Sequence, residues 1–295
     1  MPHALVFVAA GKAAYFEAVR MLGRVALARK LGPPDVLAGW TAAEWTYDEV
    51  DSELRAEAGE AVAGLAVDWA LVPTADRRKR LLVADMDSTI IGCECLDELA
   101  DYAGRKAEIA AITERAMRGE LEFEAALGAR VAMLKGLDLS ALQSCFDERV
   151  SLNPGARTLV RTMRAYGART LLVSGGFDFF TSRVAALAGF DEHRANTLID
   201  DGARLTGGVR EPILGRAAKL HALEAQIRAL ALSRADALAI GDGANDLDMI
   251  EAAGLGLAYR AKPIVAAAAD ARIDHTDLET ALYFQGYRRA EFDTD

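Results

Sequence analysis

Leu81-Leu82-Val83-Ala84-Asp85-Met86-Asp87-Ser88-Thr89 is the stretch of sequence that decides the fold. Its opening residues are apolar without interruption, which is typical of a strand covered on both faces in a parallel sheet between helices. The run then ends in two carboxylates, one residue apart, and two hydroxyls. Because ligands bind at the carboxyl ends of strands in open α/β sheets, the stretch predicts a ligand site at Asp85 and Asp87.

The carboxylates of Asp85 and Asp87 repel each other when they lie close together. One of them would keep a proton unless a cation neutralised the pair, and a hard divalent metal with oxygen ligands, most commonly Mg²⁺, is the simplest partner. A solvated acidic turn is the alternative interpretation, and it is the more common one for an isolated Asp-x-Asp pair. The choice between the two therefore depends on the rest of the chain.

The composition favours a protein that acts on a small molecule. The 295 residues include 34 Lys and Arg and 44 Asp and Glu, which give a formal net charge of −10. Such a charge opposes sequence-independent binding to nucleic acids or anionic membranes. The three cysteines, Cys93, Cys95 and Cys145, form no Cys-x-x-Cys pair and are interpreted as reduced. With no signal peptide and no apolar stretch near the ~18 residues of a membrane span, we expect a cytoplasmic protein.

Residues 1–74 are predicted to form a small α+β domain. Apolar or alternating runs at 4–8, 44–48 and 67–71 indicate three strands, and helical stripes separate them. The segment from Pro73 to Arg80 ends in Arg-Arg-Lys-Arg and is interpreted as a linker whose basic side chains are solvated. We therefore expect the second domain, residues 75–295, to fold without the first.

A long helical insertion follows the Asp85 strand. The pattern from about 94 to 152 is helical, with Gly104, Gly119 and Gly136 as stops. Strands and helices alternate again after Pro154, and a hairpin is predicted around Asp200-Asp201-Gly202-Ala203. This order predicts an α/β fold, a doubly wound parallel sheet with a helical insertion.

Two further predicted strands end in polar residues beside glycine, Ser174-Gly175-Gly176 and Gly241-Asp242-Gly243. Parallel strands place their carboxyl ends along one edge, so both loops should meet Asp85 and Asp87 there. Each loop alone is weak evidence, since Ser-Gly-Gly and Asp-Gly are common in turns. Their agreement in position favours a functional site over a solvated acidic turn.

Other kinds of site fit this sequence poorly. Asp246 stands where a dinucleotide-binding fingerprint beginning at Gly241 needs Gly or Ala. Leu172 stands where a nucleophile elbow around Ser174 needs Gly. The sequence has no Walker A motif, its acidic loops lack the glycine and glutamate of an EF-hand, and its four histidines form no zinc pattern.

Phosphoryl transfer is the chemistry that uses these groups together. Asp85 can attack phosphorus as a nucleophile, and Asp87 can protonate the leaving oxygen and then activate water. The Ser174 hydroxyl and the Gly175 amide would hold phosphoryl oxygens, while Lys219 would neutralise developing charge. The ligands predicted for Mg²⁺ are Asp85, the carbonyl of Asp87, and Asp242.

The residues from about Arg77 to Gly286 resemble the haloacid dehalogenase superfamily, and within it the phosphoserine phosphatases. The resemblance rests on the three loops above, on Lys219 and on the insertion motif Glu114-Arg-Ala-Met117-Arg-Gly-Glu-Leu-Glu-Phe123. It implies that Asp85 is the nucleophile, that Asp87 is the acid and base, and that residues 94–152 form the family's cap. Further residues implied are Asn245 and Asp246, which would support metal, lysine and phosphate, and Glu94, Met117, Phe123 and Arg130, which would face the substrate.

Arg130 also stands out from the helical pattern alone. The apolar stripe of its helix includes Phe123, Leu127 and Val131, and Arg130 falls seven residues after Phe123, within that stripe. An arginine that snorkels to an acid at the edge of the core is an equally good interpretation from periodicity. Together with Glu94, however, it offers one cation and one anion, which would suit the carboxylate and ammonium of phosphoserine.

The sequence therefore predicts Mg²⁺-dependent hydrolysis of phosphoserine to serine, the last step of serine biosynthesis. One alternative is a phosphotransferase or phosphatase of the same family that acts on another small alcohol such as homoserine. Another is an inactive amino-acid sensor, which the complete set of catalytic positions argues against. The N-terminal domain loosely resembles ACT-like regulatory modules. Neither its role nor the oligomeric state, for which a homodimer is one arrangement, follows from the sequence.

Overall fold

The computed structural model describes residues 1–51, 53–117 and 120–294. Within these ranges the N-terminal unit consists of β1 (His3–Ala9), α1 (Lys12–Ala28), β2 (Asp35–Ala38), β3 (Ala42–Tyr47), α2 (Leu54–Val62) and β4 (Val67–Pro73). The strands form an antiparallel sheet in the order β2-β3-β1-β4. This βαββαβ succession is the ferredoxin-like arrangement.

The sequence missed one strand of this unit, β2. It is short, it follows Gly32-Pro33-Pro34, and it pairs with β3 across an irregular register. Such an edge strand offers too few residues for a recognisable alternation. The other elements match their patterns, because Leu22 and Ala26 of α1 pack with Phe7 and Trp45 of the sheet in one buried cluster.

The second sheet is parallel and forms the centre of residues 81–284. Its elements are β5 (Leu81–Ala84), α7 (Ala156–Ala165), β6 (Arg169–Phe177), α8 (Asp178–Ala188), β7 (Glu192–Asn196), α9 (Arg216–Ala229), β10 (Ala237–Gly241), α10 (Leu247–Ala252), β11 (Leu255–Tyr259), α11 (Pro263–Ala268), β12 (Ala271–Ile273) and α12 (Thr280–Phe284). The strand order is β12-β11-β10-β5-β6-β7. Leu82 and Ala84 of β5 face one buried cluster, and Leu81 and Val83 face another. The predicted α/β sheet, with helices on both faces of β5, is confirmed.

The insertion between β5 and α7 is helical, as predicted. It contains α3 (Cys95–Tyr102), α4 (Lys106–Met117), α5 (Phe123–Ala132) and α6 (Leu139–Arg149). The chain enters and leaves it side by side, because Ile91 and Leu152 form a β-bridge. The hairpin of β8 (Leu198–Asp200) and β9 (Leu205–Val209) joins this cap, since the N–H of Leu205 donates to the carbonyl of Leu137.

One face of the N-terminal sheet packs against the second unit. Val6 and Val72 belong to the same buried cluster as Leu282 and Phe284 of α12, and α12 contacts both β1 and β4. The apolar surface between the units is therefore part of a continuous core. A linker that merely connects independent units would leave no such core.

Two polar contacts fasten this junction. The Arg77 guanidinium pairs with Glu44 at 2.6 Å, and its Nε donates to the carbonyl of Phe284 at 2.7 Å. The buried carboxylate of Asp68 accepts hydrogen bonds from the backbone N–H groups of residues 274–276. The prediction of solvated side chains was wrong for Arg77, because sequence alone does not show that carbonyls and a carboxylate surround it.

Candidate active site

Asp85 lies directly after β5, at the carboxyl edge of the parallel sheet. Its backbone N–H donates to the carbonyl of Ile240, which fixes it beside the end of β10. Its buried carboxylate lies 2.6 Å from the ammonium of Lys219. Burial and the carboxylates of Asp246 and Asp87 raise the pKa of Asp85, although Lys219 acts against them. A cation beside Asp85 would therefore favour the ionised form that a nucleophile needs.

Asp87 is held by hydrogen bonds to both of its carboxylate oxygens. The chain turns tightly over residues 86–90, where Ser88 adopts a left-handed conformation with φ 56°. The N–H of Cys95 then donates to Asp87 Oδ1 at 2.9 Å, and the hydroxyl of Ser174 donates to Oδ2 at 3.0 Å. Burial raises the pKa of Asp87 against these bonds, which lower it. A raised pKa suits a group that must give up a proton near neutral pH.

Ser174 and the two glycines after it form a tight loop at the end of β6. The N–H of Gly176 donates to Ser174 Oγ at 2.8 Å. A Cβ atom on Gly176 would lie 3.0 Å from both Ser174 Oγ and Asp87 Oδ2. A larger residue at this position would therefore crowd the serine hydroxyl and the carboxylate, which glycine lets approach each other across the loop.

Lys219 is buried between two carboxylates. Its ammonium lies 2.6 Å from Asp85 Oδ1 and 2.6 Å from Asp246 Oδ1. Burial alone lowers the pKa of Lys219, but the carboxylates of Asp246 and Asp85 outweigh it and raise the pKa. The lysine is thus a permanent cation beside Asp85.

Asp246 organises the loop after β10. Its second oxygen accepts hydrogen bonds from the N–H groups of Asp242 at 3.2 Å and Gly243 at 3.0 Å. A Cβ atom on Gly241 would collide with the Asp246 carboxylate, so glycine is required there. Asn245 follows on the same loop, where its Oδ1 lies against Gly243.

A divalent cation fits the carboxylates at this edge. Single oxygens of Asp85, Asp242 and Asp246 lie within 4.8 Å of one another. Burial and Asp246 raise the pKa of Asp242 to about 6, which shows how costly the crowded charges are without a counter-ion. Because the oxygens of Asp246 already accept bonds from Lys219 and the loop, Asp85 and Asp242 are the carboxylates that would hold the metal. Oxygen donors of this kind suit Mg²⁺.

The cap places Phe123 over the serine loop. A Cβ atom on Gly175 would lie 3.2 Å from the Phe123 ring. Glu94 accepts a hydrogen bond from the Ser88 hydroxyl at 2.6 Å. Burial, with the charge of Asp87, raises the pKa of Glu94 to about 7. Both residues therefore lie near the catalytic edge.

Arg130 is half-buried in the cap. Its guanidinium donates to the carbonyl of Ala126 at 3.3 Å and to the hydroxyl of Thr113 at 3.4 Å. Among the described residues it has no carboxylate partner within 4.0 Å, although Asp97 and Glu94 are near enough to influence its pKa, which burial lowers. It can therefore accept an additional anion.

Three residues without a predicted role, Thr89, Cys95 and Thr113, also contact the site or the cap residue Arg130. Asp246 pairs with Lys219 and accepts hydrogen bonds from the loop after β10, and the role that the resemblance implies for it stays a prediction. The side chain of Met117 lies outside the described part of the structure. The sequence reasoning gave no role to Thr89, whose hydroxyl donates to Asp242 Oδ1 at 3.2 Å, to Cys95 or to Thr113. Only Thr89 carried a signal, because it belongs to the opening motif.

Comparisons with known proteins agree with this geometry. Residues 82–251 match the model of the haloacid dehalogenase-like hydrolase family. A phosphoserine phosphatase of a Polaromonas species is 45% identical over 69% of this chain and 88% of its own length. The phosphoserine phosphatase of Streptomyces coelicolor is 44% identical over 85% of this chain. The matched part covers 62% of that relative's own length.

Solved structures show the same fold. A haloacid dehalogenase family hydrolase of Salmonella enterica serovar Typhi superposes with a TM-score of 0.83 at 29% identity and covers 96% of this chain and 98% of its own. A phospho-aspartyl intermediate analogue of a phosphoserine phosphatase superposes with a TM-score of 0.65 at 36% identity over 70% of this chain and 99% of its own. The chain therefore belongs to the haloacid dehalogenase-like hydrolase family.

Proposed function

We propose that this protein hydrolyses O-phospho-L-serine to L-serine and phosphate, with Asp85 as the nucleophile. The observation that carries the substrate assignment is Arg130, a half-buried cation of the cap without a carboxylate partner among the described residues. Glu94 lies near it, and an ammonium group of the substrate there would favour the ionised form of this carboxyl. Relatives that carry the name phosphoserine phosphatase support the same substrate.

The reaction proceeds in two displacements. An oxygen of Asp85 bonds to phosphorus while the ester oxygen of serine departs and takes a proton from Asp87. Asp87 then removes a proton from a water molecule, whose oxygen bonds to phosphorus as the Asp85 oxygen departs. The products are serine and phosphate, and both carboxylates return to their starting states.

Four other groups stabilise the phosphoryl oxygens and the charge that develops on them. The Ser174 hydroxyl, the Gly175 N–H and the Lys219 ammonium serve as donors, and Asn245 supports the same side of the site. Mg²⁺, when bound by Asp85, the Asp87 carbonyl and Asp242, supplies charge neutralisation. The Ser174 hydroxyl, which donates to Asp87 Oδ2 in the structure, turns towards the phosphoryl group when the substrate binds, and the N–H and ammonium donors need little reorganisation.

The cap selects the substrate. The serine carboxylate would pair with Arg130, its ammonium would face Glu94, and Phe123 would cover the carbon chain. A charge-assisted, planar guanidinium contact discriminates strongly against substrates that lack a carboxylate. This arrangement favours phosphoserine over a phosphorylated alcohol without the amino-acid group.

The wider context of the enzyme belongs to the same proposal. We place it in serine biosynthesis in the cytoplasm, without a nucleic-acid partner, and a homodimer is compatible with it. None of the helices in the described ranges is long and apolar enough to cross a membrane.

We retain residues 1–74 and 75–295 as the two domains, with the cap at about 94–152. Light scattering of the purified protein would measure the oligomeric state.

Phosphate release from a small panel of esters tests the function. The panel contains L-phosphoserine, O-phosphohomoserine and p-nitrophenyl phosphate, each assayed with Mg²⁺ and with excess EDTA. We expect phosphoserine to give the highest kcat/KM and EDTA to abolish turnover. A preference for phosphohomoserine, or transfer of phosphate to an added alcohol, would instead favour the phosphotransferase alternative. No release from any ester would indicate a binding protein.

A further inference from the structure

We propose that Asn196 is a positioning residue that sets the Ser174 loop and the start of the Lys219 helix in their active arrangement. Asn196 is the last residue of β7, and the residue is only 2% exposed. Its Nδ2 donates to the carbonyl of Gly175 at 2.8 Å and to that of Leu214 at 3.3 Å, while its Oδ1 accepts the Leu214 N–H at 2.7 Å.

The first contact reaches the acid and base through one peptide group. The peptide between Gly175 and Gly176 receives the Asn196 donor at its carbonyl and donates from its N–H to Ser174 Oγ at 2.8 Å. The Ser174 hydroxyl then donates to Asp87 Oδ2 at 3.0 Å. Because this peptide is held at both ends, its plane fixes where the Ser174 hydroxyl points. Hydrogen bonds in such a chain polarise and orient one another.

The second contact reaches the lysine. Leu214 precedes Gly215, the N-cap residue of α9, and Lys219 lies in the first turn of that helix. The pair of bonds between Asn196 and the Leu214 backbone therefore fixes the entry of the helix. One amide thus couples two phosphate-binding elements that are distant in sequence.

Only an amide satisfies these partners. Two carbonyls need a donor and one N–H needs an acceptor, and asparagine offers both on a short side chain. Aspartate keeps the volume and the acceptor but loses the donor, unless it is protonated. A buried carboxyl that faces carbonyl oxygens has a raised pKa, so a fall in pH restores an O–H donor.

The test rests on the proposed phosphatase activity and uses Asn196→Asp and Asn196→Ala, with Thr197→Val as the matched control. The control removes a neighbouring hydrogen bond, from Thr197 Oγ1 to Asp178, which does not reach the site. We expect kcat/KM to fall about 10- to 100-fold for both Asn196 variants on phosphoserine and on p-nitrophenyl phosphate, as misplaced catalytic groups do. The control should stay within about twofold of the wild type.

The pH profile separates positioning from simple packing. From about pH 8 to about pH 5.5, the activity of Asn196→Asp relative to wild type should rise, and that of Asn196→Ala should stay constant. Constant ratios for both variants, or activities of folded variants equal to the control, would overturn the proposal. The Asn196→Asp variant keeps the acceptor for the Leu214 N–H. Its pH profile therefore distinguishes positioning from packing even if Asn196→Ala does not fold. Because p-nitrophenyl phosphate needs no recognition by the cap, loss of the phosphoserine assignment would not affect this comparison.

Discussion

At the scale of the residue, the mechanism depends on Asp85 acting as the nucleophile. The Asp85→Asn variant keeps the side-chain volume but cannot form an acyl phosphate, so we expect turnover to fall by about 10³-fold or more. Its far-ultraviolet circular dichroism should match the wild type. Asp87→Asn, which leaves the nucleophile but removes the acid and base, should lose about 10²-fold or more. Near-normal phosphate release from Asp85→Asn would require a different nucleophile.

The residue scale also shows what sequence can and cannot predict. Asp85 and Asp87 could be predicted as residues of a ligand site, because two carboxylates at the end of a continuous apolar strand form a pattern that is visible in the sequence. Asn196 could not, because a single asparagine at the end of a polar edge strand carries no pattern. Its importance comes from backbone carbonyls that only the fold brings within reach. Arg77 was misinterpreted for the same reason.

At the scale of the element, the cap should exclude water through Phe123. The Phe123 ring lies over Gly175, so Phe123→Ala would open the serine loop to solvent. We expect KM for phosphoserine to rise and kcat to fall, with a combined loss of about 10- to 100-fold in kcat/KM. Glu122→Ala is the control, because Glu122 precedes the same helix and makes no side-chain cap bond. Equal kinetics for the two variants would mean that the ring does not close the site.

Strands with a recognisable apolar pattern in the sequence were predicted, and the edge strands without such a pattern were missed. β5 and β10 are buried on both faces and form continuous apolar runs in the sequence. β7 lies at the sheet edge, and Glu192, His193 and Arg194 give it no apolar alternation. The sequence also predicted the hairpin at residues 200–203 but not its attachment to the cap, since that contact uses backbone groups of residues 136–139.

At the scale of the whole molecule, the two units should be energetically coupled. Arg77→Ala would leave Glu44 without its cation at a largely buried junction, and we expect a loss of about 2 to 4 kcal/mol in the free energy of unfolding. Arg80→Ala is the control from the same basic run, because Arg80 is exposed and its nearest carboxylate lies 4.0 Å away. Urea denaturation measures the free energy of unfolding of both variants. Equal values for Arg77→Ala and Arg80→Ala would argue against energetic coupling of the two units.

The same packing changes what we expect of a truncated protein. The sequence pattern suggested that residues 75–295 fold alone. In the structure, removal of residues 1–73 would expose the α12 residues that pack with Val6 and Val72. Exposed apolar surface of this kind promotes aggregation, so we expect the truncated protein to be insoluble or markedly less stable. A soluble, fully active fragment would show that the junction contributes little.

The central claim is that the cap recognises the amino-acid part of the substrate. It is tested most directly by measuring kcat/KM of the Arg130→Ala variant on L-phosphoserine and on p-nitrophenyl phosphate. We expect a loss on L-phosphoserine that corresponds to about 2 to 4 kcal/mol, because the substrate carboxylate loses its partner, and little change on p-nitrophenyl phosphate. Arg115→Ala, which removes an exposed cation of the same cap, should affect neither substrate. Equal losses on both substrates would mean that Arg130 supports the cap or the phosphate, and would contradict the assignment of phosphoserine.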